Sequence, residues 1–158
     1  ERVVDGEAAS GSKMSLVPLH EGDSLSVGDK IMAVYEIHSD ENRSFVRATL
    51  PRNASLRPVN QLSGHLYGAL WRYAVSGDGV PASVCLPTSV YPAHGYREVK
   101  TDRTEYFLEV CPEETSCIRE QLIVTQEGTF TSPVSEIECL YAPHYRANGA
   151  FDGQMRVE

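Results

Sequence analysis

Hydrophobic and polar positions alternate along much of this chain, which is the pattern of strands that bury one face. In residues 31–37 the odd-numbered positions are mostly apolar, and residues 14–19 form a short run that Pro18 assigns to a sheet edge. Turn residues recur at a spacing of roughly 8–12, and no sustained 3.6-residue period is present. The pattern predicts an all-β protein built as an antiparallel β-sandwich.

The first thirteen residues differ from the rest of the chain. Residues 1–13 are rich in small and polar side chains and have no apolar period, so they predict a flexible leader or linker. Residues 14–158 then predict one β-sandwich domain. A chain of this length buries roughly two-thirds of its unfolded surface, which is enough for a real core.

Four cysteines bear on both the fold and the compartment. They are even in number and include no Cys-x-x-Cys pair, which favours a disulfide framework over a metal or redox site. Cys111 and Cys117 bracket a short polar loop, so we expect them to pair. Cys85 and Cys139 then remain as a second, long-range disulfide. The alternative is four free cysteines in a cytosolic protein, because unpaired cysteine is itself a common core residue.

Two disulfides would place the chain outside the cytosol, either secreted or in a secretory organelle. The Asn-x-Ser sequons at Asn42 and Asn53 are candidate glycosylation sites that fit the same route. The net charge of −8 argues against nucleic acid and anionic membranes as partners, because both require clustered Lys and Arg. No apolar run approaches the roughly 20 residues of a membrane span, so no membrane insertion is expected.

The polar residues show no catalytic or metal-binding motif. The five histidines have neither His-x-His nor His-x-x-x-His spacing, and no complementary set of four zinc ligands is visible. There is no Gly-x-Ser-x-Gly elbow, although a Ser-His-Asp triad assembled only in space stays open. We therefore expect no enzymatic activity, no metal and no cofactor.

Aromatic side chains are the best candidates for an interaction surface, because tyrosine and tryptophan are enriched at binding hot spots. Two proline-containing loops combine tyrosine with histidine, and loops are where binding residues concentrate. Tyr91 and Tyr96 belong to the first loop, and Tyr141 and Tyr145 belong to the second. In this acidic chain we expect aromatic anchors to share the site with carboxylates and to meet a basic partner surface.

The order of hydrophobic and glycine positions resembles the galectin-like β-sandwich, a jelly roll. The segments that carry the resemblance are residues 16–28, 45–50, 105–110 and 147–157. Galectins bind sugars through a His-x-Asn-x-Arg strand, a stacking tryptophan and a nearby glutamate. Here His65 and Trp71 match the histidine and the tryptophan, whereas Tyr67, Ala69 and Ala74 replace the three other groups.

A galectin-like fold with two disulfides is similar to the galectin-like domains of secreted apicomplexan microneme adhesin complexes. That resemblance implies cell adhesion and host cell invasion, with a non-enzymatic module that binds a protein partner, an adhesin such as a thrombospondin-type repeat. One alternative is a carbohydrate-binding lectin that uses Trp71 and His65 to hold a glycan. Another is a secreted enzyme, or an enzyme inhibitor that presents the loop from Cys111 to Cys117.

Overall fold

The computed structural model describes residues 2–6, 13–66, 83–85, 95–111, 113, 115–149 and 153–158, and for residues 2–6, 13–16, 66, 83–85, 110 and 115 only the backbone. The regular structure of these residues is all strand, which confirms the all-β prediction. Among them there is no helix that could cross a membrane. In chain order the strands are β1 (Arg2–Gly6), β2 (Lys13–Val17), β3 (Ser24–Leu25), β4 (Lys30–His38), β5 (Arg43–Pro51), β6 (Leu56–Pro58), β7 (Gly64–Leu66), β8 (Ser83–Cys85), β9 (Gly95–Val99), β10 (Arg103–Cys111), β11 (Thr115–Val124), β12 (Gly128–Thr131), β13 (Ser135–Cys139), β14 (Ala142–Gly149) and β15 (Gln154–Val157).

Two large sheets form the sandwich. The first sheet has the order β2-β1-β4-β11-β6, with β8 also paired to β11, and the second has the order β14-β13-β5-β10-β9-β7. The pairings between the described strands of these two sheets are all antiparallel, as the sequence predicts. A small third sheet, β12-β15-β3, adds a parallel pair between β15 and β3. Strand β2, which ends one residue before Pro18, lies at a sheet edge, also as predicted.

The core follows from alternation within single strands. Val46, Ala48 and Leu50 of β5 are buried, and Leu108 of β10 lies directly opposite Val46 in the register. They pack in one cluster with Ile118 of β11, which belongs to the other large sheet. Each fully buried aliphatic side chain of this kind contributes about 1.5–3 kcal/mol of transfer free energy. The contact between the two sheets therefore supplies the main stabilisation of the sandwich.

A second cluster joins the small sheet to the first large one. Leu25 of β3 and Val157 of β15 pack against Ile31 of β4 and against Leu122 and Val124 of β11. β11 thus contributes to both clusters, with Ile118 in one and Leu122 in the other. This strand is the structural centre of the domain.

The N-terminal segment includes part of the first sheet. Strand β1 pairs with β2 over five residues and with β4 through Arg2 and Val3. The segment for which the sequence predicts a flexible leader therefore contains a strand. The boundary between residues 13 and 14 stays a prediction.

The predicted disulfides are wrong. Cys111, Cys117 and Cys139 carry free thiols. Cys111 ends β10 in the second sheet and is buried in the core, whereas Cys117 lies in β11 of the first sheet between the buried Ser116 and Ile118. Because neighbouring residues of a strand point to opposite faces, Cys117 faces away from the core and cannot reach Cys111.

The long-range pair fails as well, because the thiol of Cys139 is also free. Cys139 lies in β13 of the second sheet and packs in the core cluster that contains Cys111. Cys85 lies in β8 of the first sheet, where its backbone is opposite Cys117, and its side chain lies outside the described residues. The cysteines of the core behave as small apolar side chains, which is the alternative that the sequence leaves open.

These positions predict the order of thiol modification. Cys117 is partly exposed, while Cys111 and Cys139 are buried and burial raises the pKa of the Cys111 thiol. Because only the thiolate reacts, iodoacetamide at pH 8 should modify Cys117 at least about a hundredfold faster than Cys111 or Cys139 in the folded chain. Peptide mapping by mass spectrometry measures the three rates. A linked Cys111–Cys117 peptide under non-reducing conditions would contradict this arrangement.

Candidate functional site

An ion network is buried between the two large sheets. Glu120 of β11 lies two residues from Ile118 and two from Leu122, so it shares their inward face and its carboxylate points into the core. Its Oε1 atom accepts hydrogen bonds from Arg97 Nη2 at 2.8 Å and from Thr104 Oγ1 at 2.7 Å. The side chains of Arg97 and Glu120 are 4% and 1% exposed. A buried carboxylate of this kind is tolerated only because a guanidinium compensates its charge.

The two arginines of this network also hold loops. Arg97 donates to the backbone oxygens of Leu62 at 2.8 Å and Asn60 at 2.9 Å, and its Nε donates to Tyr106 Oη at 3.0 Å. Arg52, whose Nη1 lies 3.9 Å from Glu120 Oε2, donates to the backbone oxygen of Arg103 at 3.0 Å. The network therefore ties two surface segments to the sheet that carries Glu120.

The electrostatics of the network are those of a closed interior. Burial raises the pKa of Tyr35 to about 12, and the nearby charge of Glu120 acts in the same direction. Burial also lowers the pKa of Arg52, against the attraction of Glu120. These groups are screened from solvent, and they connect the two large sheets inside the domain.

The described residues contain no group of three or more His, Cys, Asp or Glu side chains that could hold a metal ion. The candidate functional site is therefore sought among exposed side chains.

An exposed aromatic patch lies where β13 turns into β14. Its members, which we call the aromatic patch, are Phe45, Leu140, Tyr141 and Tyr145. They are 49%, 40%, 82% and 45% exposed, respectively. Contiguous exposed apolar side chains on a soluble domain mark interaction sites more often than isolated ones do. This patch is the strongest candidate for a binding surface in the described part of the chain.

Contacts within the patch fix its shape. The rings of Phe45 and Tyr141 meet edge to face, with centroids 5.2 Å apart and planes at 88°. The Leu140 amide donates a hydrogen bond of 2.9 Å to the Phe45 carbonyl, which joins the turn to β5. Edge-to-face pairs add about 0.5–1.5 kcal/mol beyond area burial, so the two rings hold one another in place.

At the other end of the patch, a guanidinium packs on Tyr145. The Arg43 guanidinium lies 3.7 Å from the centre of the Tyr145 ring, and His144 stacks obliquely on the same ring at 4.2 Å. Arg43 also binds Asp40 at 3.1 Å and Glu41 at 3.5 Å. A cation over an aromatic face contributes about 0.5–1 kcal/mol at exposed sites. Arg43 thereby orients the Tyr145 ring, while the charge of Arg43 is shared with the carboxylates of Asp40 and Glu41.

The predicted binding residues fall into separate groups. Tyr141 and Tyr145 belong to the aromatic patch. Tyr96 and His65 face each other across β9 and β7, with ring centroids 5.1 Å apart, at the opposite edge of the second sheet from β14. The structure therefore does not bring Tyr96 to the side of the sheet that carries Tyr141 and Tyr145. Tyr91 and Trp71 lie outside the described residues.

The two sequons have different surroundings. Asn53 accepts hydrogen bonds from the backbone nitrogen of Ser55 at 3.1 Å and from its hydroxyl at 2.7 Å, and Ser55 is fully buried. Asn42 is exposed, and its side-chain oxygen accepts a hydrogen bond from the Glu113 amide at 2.9 Å. Glycosylation of both residues stays a prediction, and the engaged side chain and buried serine disfavour Asn53.

Sequence reasoning missed several of the residues that matter. Glu120 carried a usable signal, because a charged residue stands inside a strand whose alternate positions are apolar. Arg97 and Arg52 carried no comparable signal, since their partners are distant in the chain. Phe45 was assigned to a strand but not to a site, because its proximity to Tyr141 exists only in the fold.

Comparison with known proteins identifies the family. A family model described as the bacterial alpha-2-macroglobulin MG10 domain matches residues 3–144. No curated protein matches the chain. Among solved structures, native E. coli alpha-2-macroglobulin from domain MG7 to the C-terminus is 18% identical with a TM-score of 0.62, covering 85% of this chain and 20% of that one. Salmonella alpha-2-macroglobulin reacted with methylamine is 20% identical with a TM-score of 0.61, covering 85% of this chain and 8% of that one.

The trypsin-activated E. coli protein is 17% identical with a TM-score of 0.60, covering 86% of this chain and 9% of that one. These likenesses establish the fold, and the chain spans a small fraction of the length of each structure.

The galectin resemblance is therefore wrong, and with it the assignment to microneme adhesins, cell adhesion and host cell invasion. Its basis was a spacing of hydrophobic and glycine residues that many β-sandwiches share, because alternation and turns are common to all of them. The match to a different family over most of the chain overturns it. The chain is a macroglobulin-like domain and belongs to the family of bacterial alpha-2-macroglobulin MG10 domains.

Proposed function

We propose that this chain acts as a non-catalytic domain of a larger secreted or periplasmic protein of the alpha-2-macroglobulin class. We further propose that its aromatic patch packs against another domain of that protein. The observation that carries the proposal is Tyr141, which is 82% exposed and whose ring packs edge to face on Phe45. An exposed tyrosine that is held in place by neighbours loses little conformational entropy on binding, which suits an interface anchor.

The family match supports a neighbouring domain as the occupant of the patch. The chain covers 8% of the Salmonella protein reacted with methylamine and 20% of the E. coli fragment. A domain that is a small part of a chain of this kind is surrounded by others, and interfaces between domains resemble those between proteins. Neither a glycan nor an adhesin is supported by the family, so we propose neither.

Amide hydrogen exchange tests the proposal. The rate for residues 140–146 is measured in the 158-residue chain and in the full-length protein that its gene encodes, and the first rate divided by the second is the docking ratio. Packing of the patch against another domain should give a docking ratio above about ten, since burial of an interface suppresses local opening. A ratio near one, or a gene that encodes no further domain, would overturn the proposal.

Truncation of the central ring should undo the docking. Replacing a hot-spot tyrosine with alanine typically costs at least about 2 kcal/mol, or roughly thirtyfold in an equilibrium constant. We therefore expect Tyr141→Ala to bring the docking ratio close to one, while the isolated chain stays folded and loses only the contribution of the ring pair, about 0.5–1.5 kcal/mol. Val134→Ala is the matched control, because Val134 is 57% exposed and precedes β13, at the other end of the β13–β14 hairpin. Equal effects of the two variants would refute a specific role of the patch.

A further inference from the structure

Phe45 adopts a backbone conformation that its side chain disfavours. Its φ is 55°, and among the described residues no other non-glycine residue has a positive φ. For an L-residue this left-handed conformation costs roughly 1–2 kcal/mol, and for a bulky side chain it is a clear outlier. Strained backbone that persists without a structural reason is often part of a functional site.

Core packing does not compensate for this strain. The buried residues of β5 begin at Val46, and Phe45 itself is 49% exposed. Its conformation instead serves the aromatic patch, because the Phe45 carbonyl accepts the Leu140 amide and the Phe45 ring contacts Tyr141. About half of the ring is thus left in contact with water, next to the most exposed tyrosine of the patch.

The charge next to the patch indicates what the partner carries. Strand β14 (Ala142–Gly149) contains His144 and Arg146 but no carboxylate, in a chain with a net charge of −8. Arg146 is exposed and forms no ion pair within the described residues. It lies opposite Glu138, whose carboxylate is hydrogen-bonded to Arg47. An exposed guanidinium that directly follows Tyr145 in the chain favours a partner surface that pairs an apolar side chain with a carboxylate.

We infer that Phe45 is held in the left-handed conformation so that its ring and that of Tyr141 form an aromatic clamp for an apolar side chain of the neighbouring domain, with a carboxylate of that domain bound by Arg146. This inference rests on the proposed function, since it names what the patch binds. The strain of Phe45 is part of the clamp, because a relaxed β-conformation would move the ring away from Tyr141.

Two substitutions of Phe45 separate the contribution of its aromatic ring from the cost of its left-handed backbone conformation. Phe45→Ala removes the ring and keeps a side chain that disfavours positive φ, whereas Phe45→Gly removes both. In urea unfolding of the 158-residue chain, the unfolding equilibrium constant of Phe45→Gly should be about threefold to tenfold smaller than that of Phe45→Ala. In the full-length protein both variants should lower the docking ratio at least fivefold.

The outcomes distinguish this inference from the proposed function. If Tyr141→Ala abolishes docking but neither Phe45 variant lowers the docking ratio, the clamp is overturned and the proposed function stands. If Phe45→Gly is less stable than Phe45→Ala, the left-handed strain is absent and the inference fails. If Tyr141→Ala has no effect on docking, both proposals fail together.

Substitutions of Arg146 test whether this residue binds a carboxylate of the neighbouring domain. Arg146→Glu should lower the docking ratio by roughly tenfold at low salt, because it places a carboxylate against a carboxylate, and Arg146→Gln should have a smaller effect. The difference between the two variants should shrink at high salt, as screening weakens interactions between partly exposed charges. Equal docking of Arg146→Glu and the unsubstituted protein would exclude a carboxylate at this position of the partner.

Discussion

Replacing Glu120 with alanine is expected to lower the free energy of unfolding by about 3–5 kcal/mol, the range measured when one member of a buried ion pair is removed. The carboxylate accepts hydrogen bonds from Arg97 and Thr104, and its removal leaves a guanidinium in the core without a counter-charge. Because whole domains are stable by only about 5–15 kcal/mol, most of the stability of this one would be lost. Urea unfolding followed by circular dichroism measures the change.

A surface carboxylate provides the comparison for Glu120. Glu109 of β10 is exposed, and no hydrogen bond or ion pair holds it within the described residues. Glu109→Ala should therefore change the free energy of unfolding by less than about 0.5 kcal/mol. A loss below about 1 kcal/mol for Glu120→Ala would mean that the core around Glu120 is open to water, contrary to its 1% exposure.

Replacing Arg97 with methionine should have a cost of similar size, about 3–5 kcal/mol, and a local consequence as well. Arg97 is the donor that holds the backbone oxygens of Asn60 and Leu62, so the loop between β6 and β7 loses its anchor. Amide exchange in residues 59–63 should accelerate beyond the global change. Arg156→Met is the surface control, because Arg156 is 70% exposed and its one ion pair within the described residues is with Glu158.

The double variant tests whether the two residues act as a pair. With Arg97→Met and Glu120→Ala together, the pair is removed without leaving either member facing the empty place of the other, so the combined loss should be smaller than the sum of the single losses by about 0.5–3 kcal/mol. Strictly additive losses would show that the two residues stabilise the domain independently. The loops would then be held by Arg97 without help from Glu120.

Local sequence patterns predicted the strands well and the bonds between them poorly. Residues 45–50 predict a strand in the sequence and lie in β5, whose Val46, Ala48 and Leu50 are in the core. Alternation along a strand could not show that Cys111 and Cys117 belong to different sheets. The number of residues between two cysteines determines neither the sheet that each strand joins nor the direction in which each side chain points. A short loop between two cysteines therefore predicted a disulfide that the alternation of β11 forbids.

The resemblance to galectins failed for a related reason. Glycines at turns and apolar residues at alternate positions are required by any β-sandwich, so their order identifies the architecture without identifying the family. The prediction of a protein-binding surface at Tyr141 and Tyr145 rested on different reasoning, namely that proline-containing loops are exposed. The structure places both tyrosines on the surface, and their role in binding stays a proposal.

The sequence by itself determined the all-β class and the alternation of half-buried strands with turns, because these depend on neighbours a few residues apart. Only the tertiary structure decided the partners of Glu120, the free state of the described cysteines and the contact of Phe45 with Tyr141. Those contacts join residues 16 to 96 positions apart, for example Thr104 with Glu120, and depend on the order of strands in the sheets. Many strand orders satisfy one hydrophobic pattern, and packing of the whole domain selects among them.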